Sequence, residues 1–382
     1  MHTPPCFRSE WVLAAAKWLP CSGSLDRLAS CPAVCCPRLP FSFPRNWTIC
    51  MEFYSTRAVG FSALVLSRAR IETMDMRTGR PDRIWRLGGS KARWIFYLIV
   101  VLGIAAWKFV PRPWKPARVV ETQHYVIEST ATQEQTEQIG RVAEMLYTAY
   151  SNRFGTLPTF QKQHAKLKVR LYKDRKEFRW VNPNLGWAEA FYRTPYCRAY
   201  YSDKEINPYH WMLHEATHQL NAEVAHLKLA KWLEEGLAEY LSTSRIRDGQ
   251  LMIGRIDPQT YPVWWIDDMA TGTNLEACFG NGSVIPLRAI VLNSGGPSMN
   301  QNFNLYYLHW WTLTHYLFEE PKFRDASLKL MEHGGALDAF EKDIGPVDSI
   351  LAGWFRYVRT IKAAVDGHDS KFLKTGELPV EE

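Results

Sequence analysis

Hydrophobic positions recur every second residue at 124–129 and again at 166–173, which predicts two strands; in the second, Leu167, Val169 and Leu171 share one face. Between them Ile139, Val142, Ala143, Leu146, Tyr147, Tyr150 and Phe154 keep the spacing of a helix. Thr132 opens that helix with Gln135 three residues on, a capping box, and Gly155 ends it. Asp174 and Glu177 can box a short helix, and 198–202 reads as a further strand. Asn207-Pro208 offers an N-cap and a proline at the first helical position, so a helix should begin there and bury Trp211, Leu213, Ala216 and Leu220. A second helix carries 232–240, and Arg247-Asp248-Gly249-Gln250 marks a hairpin. Residues 284–360 read as helices, the most apolar of them at 306–317. Together these elements make an α+β domain over 120–365, with a polar tail at 366–382.

Upstream the pattern changes. Residues 94–110 are apolar except for Lys108 and show no amphipathic period. With Trp94, Tyr97, Trp107 and Trp114 as interfacial aromatics, the stretch reads as a transmembrane anchor, followed by a stiff proline-rich linker at 111–119. The net charge of +7 divides unevenly: residues 1–118 hold 18 Lys and Arg against 6 Asp and Glu. The remainder is mildly acidic, which argues against a nucleic-acid surface. More basic residues precede the anchor than follow it, so the basic segment 74–93 is expected in the cytoplasm and the large domain outside it, periplasmic or extracellular. Residues 1–73 lack any convincing period and read as disordered or non-native, with translation from Met74 or Met76 as an alternative. Six of the eight cysteines fall in this segment; the other two, Cys197 and Cys278, could form a disulfide in an exported domain.

The chemistry concentrates in His-Glu-Ala-Thr-His at 214–218. Residues four apart share a helix face, so His214 and His218 can both reach one metal ion, and Glu215 sits one position round, facing a water held by that ion. Two neutral histidines on a buried helix with a glutamate between them are hard to satisfy without a metal. A catalytic zinc takes three protein ligands. Asn221 and Val224 stand where one histidine-rich class would need Gly and His, and His226 is badly placed if the helix continues. Glu235, on the second helix after sixteen intervening residues, is better placed, with Glu234 the adjacent alternative.

These two segments resemble the gluzincin branch of the zincin metallopeptidases. Trp232-Leu233-Glu234-Glu235-Gly236 is similar to the Trp-Leu-Asn-Glu-Gly stretch of the aminopeptidase N family, and the order of elements looks like the stand-alone peptidase MA-like domains. The resemblance spans about 120–360 and implies a zincin-like fold: a small mixed sheet, two zinc helices and a helical C-terminal half. It implies one Zn2+ held by His214, His218 and Glu235, Glu215 as general base, and Glu239 as hydrogen-bond partner of a ligating histidine. It also implies a sheet edge just before the first zinc helix that pairs with extended substrate. Aligning the apolar segment at 306–317 places Tyr307 at the family's catalytic tyrosine; Tyr307 reads equally as a core aromatic, and Tyr306, His309 and His315 are lesser candidates. The expectation is a membrane-anchored zinc peptidase, an endopeptidase acting on peptides or proteins. The alternative is a catalytically silent zincin-like domain that binds a peptide or envelope protein. Oligomeric state is not legible.

Overall fold

The computed structural model describes residues 90–379 apart from 111, 163–164, 187, 206, 270, 273 and 368–369. The expected extension at 1–73 and nearly all of the basic segment at 74–93 lie outside the described residues.

The first element, α1 (Ser90–Phe109), is the apolar stretch, and its side chains from Trp94 to Trp107 are largely exposed. Among the described residues, no helix is long and apolar enough to cross a membrane. The stretch 94–110, expected as a membrane anchor, lies mostly on this exposed apolar helix. Arg93 and Lys108 bracket its uncharged part, which rises about 21 Å, short of a hydrocarbon core of about 30 Å.

The domain begins with β1 (Arg118–Glu121) and β2 (Tyr125–Ser129), an antiparallel pair. Helix α2 (Gln133–Phe154) follows, and its capping box forms as the sequence predicts: Thr132 accepts from the Gln135 backbone, and the Gln135 side chain accepts from the Thr132 backbone. The chain returns in β3 (Leu167–Tyr172), parallel to β2, and crosses through the short helix α3 (Arg175–Val181). Asp174 caps α3, while Glu177 turns outward to bond Thr130 and the Lys173 backbone. Two strands complete the sheet, β4 (Ala190–Arg193) and β5 (Tyr196–Tyr200), in the order β1-β2-β3-β5-β4. The strand expected at 198–202 is thus β5, and it is internal. The edge before the first candidate zinc helix is β4, which lies antiparallel to β5.

Helices α4 (His210–Glu223) and α5 (Lys231–Ser242) come next. Helix α4 starts two residues later than Asn207-Pro208 suggested: Asn207 Oδ1 accepts from the Tyr209 backbone at 3.1 Å, closing a local turn instead of capping the helix. Strands β6 (Ser244–Arg247) and β7 (Gln250–Ile256) form the expected hairpin, with Asp248 and Gly249 both at positive φ as its two-residue turn requires. The rest is helical: α6 (Leu275–Gly280), α7 (Leu287–Leu292), α8 (Phe303–Glu319), α9 (Arg324–Glu332), α10 (Leu337–Asp343), α11 (Val347–Asp366) and α12 (Ser370–Thr375).

One large core joins these parts. The sheet face bearing Ile127, Val169, Leu171 and Ala199 packs on α2 and α4, and α4 packs on α5, which packs on α8. Helix α8 is buried along nearly its whole length, so it forms the centre of the helical half. A smaller cluster of Tyr172, Phe178, Val181 and Tyr200 covers the other sheet face beneath α3. Cys197 lies under α4, with Sγ 3.9 Å from the Met212 carbonyl, and Cys278 is buried on α6 in the helical half. The disulfide considered between Cys197 and Cys278 does not form.

Candidate metal centre

The site is built by the chain reversal between α4 and α5. Helix α4 buries Met212, Leu213, Ala216 and Leu220, which leaves His214 and His218 on the side facing α5. Polar side chains fix its seat: Gln219 donates to the Pro195 carbonyl at 3.1 Å, and Asn221 accepts from Tyr150 on α2 at 2.7 Å. The helix ends where His226 takes a left-handed conformation (φ 50°), so this residue makes the turn and is not at the site. Helix α5 is anchored by Trp232, fully buried and donating to the Gly335 carbonyl at 2.7 Å.

Gly236 sets the depth of α5. A Cβ at this position would stand 2.1 Å from Thr314 Oγ1 and 2.6 Å from the Trp310 carbonyl oxygen, both on α8. Only glycine allows the two helices to approach this closely. That approach brings Tyr307 against Glu235: its hydroxyl donates to Glu235 Oε2 at 3.0 Å.

Three ligand atoms converge. His214 Nε2 and His218 Nε2 are 3.2 Å apart, and Glu235 Oε2 lies 3.5 Å from the first and 3.8 Å from the second. A point equidistant from all three is about 2.0 Å from each, matching usual Zn–N and Zn–O bond lengths. Among the described residues this is the group that could hold a metal ion. Glu234 stays outside it, half-exposed, with Oε1 3.8 Å from His218 Nδ1. Glu239 is fully buried with Oε1 3.2 Å from His214 Nδ1, and Ser242 Oγ donates to its other oxygen at 3.2 Å. The approach to Nδ1 is close but not in line: His214 Nδ1 and Glu239 Oε1 are both buried without an aligned hydrogen-bond partner.

Burial governs the charge states here. Against its cost, the hydrogen bond from His214 and the two imidazoles hold Glu235 down to about 2. Burial alone would lower His214, but the Glu239 carboxylate and Glu235 together raise it well above its ordinary value. Burial lowers His218 and raises Glu239. Glu215 is pushed up to about 7, chiefly by burial, with His214 and a backbone hydrogen bond from Tyr192 opposing the rise. A cation held by the neighbouring ligands would favour its ionised form.

The cluster opens into a cleft of about 420 Å³. Edge strand β4 supplies one wall through Ala190, Phe191 and Tyr192, and Trp211, Tyr261 and Tyr307 supply an aromatic one. Glu215 lines the same space. The structure therefore brings together His214, Glu215, His218, Glu235, Glu239 and Tyr307, all singled out from the sequence. His309 and His315 stand apart, in the core of α8. His309 accepts from the Ile285 backbone at Nε2 (2.9 Å) and pairs through Nδ1 with the Leu305 carbonyl (2.6 Å), and His315 pairs with the Tyr357 hydroxyl at 2.7 Å. Tyr306 donates to the Pro297 carbonyl at 2.8 Å, away from the ligands. Sequence reasoning missed β4 and Tyr261; the aromatic density of 261–265 was the available signal for the latter. No family model matches the sequence, and a search of curated proteins finds no match.

Proposed function

We propose that this chain is a zinc-dependent peptidase of gluzincin type, acting on peptide or protein substrates. The observation that carries the reading is the convergence of His214, His218 and Glu235 from two adjacent helices, with Glu215 one position round in the same cleft. The donor set of two imidazoles and one carboxylate suits zinc and leaves a fourth position open to solvent or substrate. When bound, zinc would act as a Lewis acid, polarising a carbonyl and acidifying water.

The remaining roles belong to the protein. Glu215 takes a proton from the attacking water and returns it to the leaving amine. Glu239 faces His214 Nδ1, favours the tautomer with the proton on that nitrogen, and so leaves Nε2 free as a ligand. Tyr307 steadies the Glu235 carboxylate through its hydrogen bond. Among the described residues no strand lies beside the outer edge of β4, which supports binding of an extended peptide by strand addition.

Glu215→Gln in the full-length chain tests this reading. Zinc content should match wild type, while turnover of a peptide library falls by roughly 10²–10⁴-fold. Wild-type turnover in the variant would remove Glu215 from its role. The second reading, a silent peptide-binding domain, draws on Tyr307: its hydroxyl is committed to Glu235 and not to the cleft. Zinc-loaded wild-type protein that cleaves nothing in the library would favour it.

A further inference from the structure

Tyr261 follows β7 and sits at the head of a 3-10 turn, Val263–Asp268. Its ring is packed into the aromatic wall of the cleft, with centroids 5.6 Å from both Trp211 and Tyr307 and 6.4 Å from Phe303. Only 6% of the residue is exposed. Yet its hydroxyl is buried with no hydrogen-bond partner among the described residues, and the residue lines the same cleft as the ligand cluster. A buried donor left unmatched is costly, so an orphan hydroxyl on a residue of the cleft wall calls for a partner, and a substrate entering the cleft can supply one.

The two phenols of this wall are in different states. Tyr307 donates to Glu235 Oε2 and can reach a substrate only by giving up that bond. Tyr261 has a donor to spare. We propose that Tyr261 is the catalytic residue that donates its hydroxyl proton in a hydrogen bond to the carbonyl oxygen of the bound substrate, and keeps that bond as the oxygen gains negative charge. Tyr307 then serves as a positioning residue for Glu235. No bond to Tyr261 is made or broken; the hydroxyl proton stays on the phenol oxygen throughout. This role rests on the peptidase reading above and assigns the oxyanion donor to a loop residue, not to α8.

A competing use of the hydroxyl lies within the fold. His210 Nε2 is also buried without a partner, and its ring centroid is 6.2 Å from that of Tyr261. If a small ring rotation joined the two, the hydroxyl would be structural.

Tyr261→Phe in the full-length chain separates these cases, because it removes only the oxygen. Three readouts are needed: zinc stoichiometry, the thermal midpoint of the metal-free protein, and kcat and KM on a peptide that wild type cleaves. A phosphinic peptide, whose tetrahedral phosphorus carries two oxygens sharing one negative charge, is then titrated into the zinc-loaded proteins. We expect unchanged zinc, an unchanged or raised midpoint, kcat lower by about 10²–10³-fold with KM little altered, and clearly weaker binding of the phosphinic peptide. A lowered midpoint with wild-type kcat would assign the hydroxyl to the fold and overturn the proposal, as would equal phosphinic peptide affinity. Zinc-loaded wild type that cleaves no peptide would instead overturn the peptidase reading, and this role with it.

Discussion

Two kinds of interior histidine occur in this molecule. On α8, His309 has both ring nitrogens matched by backbone groups, at 2.9 and 2.6 Å. On α4, His214 and His218 turn their Nε2 atoms toward each other at 3.2 Å, and both Nδ1 atoms are buried without an aligned partner. His214 is buried and His218 partly so, and the degree of burial is not what sets them apart from His309. The distinction is where the lone pairs point. The fold answers those of His309 from within; it leaves those of the α4 pair converging on one point with a carboxylate. A protein tolerates such a cluster when something from solution completes it.

The contrast can be broken first at His309. Burial lowers this ring to about 4, below its ordinary 6.5. The unfolded chain therefore binds more protons between those values, and stability present above about pH 6.5 is lost as pH falls toward 4. The expected loss is on the order of 3 kcal/mol. Urea unfolding of the metal-free protein at several pH values reads it, and His309→Gln should make the dependence shallower, with the buried His210 and His315 still contributing to what remains. Equal slopes in the two proteins would assign the titration to another group.

Gly236, where the two helices meet, gives the next effect. Gly236→Ala places a methyl group against the Trp310 carbonyl and Thr314 Oγ1, so α5 must move away from α8. A stability loss of about 1–3 kcal/mol is expected, as for overpacking elsewhere. The Tyr307–Glu235 bond should open as well, seen as weakened metal affinity. A variant as stable as wild type would show that the helices do not need this contact.

Glu239→Gln sharpens the contrast with the smallest change. It keeps the shape of the side chain and removes the charge facing His214 Nδ1. Metal affinity should fall about 10–100-fold, measured by competition with a chromophoric chelator. Unchanged affinity would make Glu239 a packing residue.

Much of this was legible in the sequence, for identifiable reasons. Helix α2 and strands β2 and β3 carry clear periods and a capping box, and local pattern sufficed to place them. The i, i+4 spacing gave His214 and His218 as candidate ligands, because helix geometry fixes their shared face, while the choice of Glu235 over Glu234 came from the resemblance to the aminopeptidase N family. Strand β4 was not legible: Ala-Phe-Tyr-Arg is too short to show a period, and its place at the edge depends on pairing with β5. Asn207 was misread because its side chain can close a turn as readily as cap a helix. Tyr261 was missed because its loop has no period and its neighbours are set by tertiary packing. The Cys197–Cys278 pairing failed because even spacing arguments cannot bring a sheet strand and a distant helix together.

The central claim is that three side chains of α4 and α5 hold one divalent cation. Elemental analysis of the full-length chain, purified without chelators, tests it most directly, with His218→Ala as the paired sample. The account predicts one zinc per chain in wild type and a large loss in the variant. Metal-free wild type after incubation with zinc, or a variant that keeps its full complement, would contradict it.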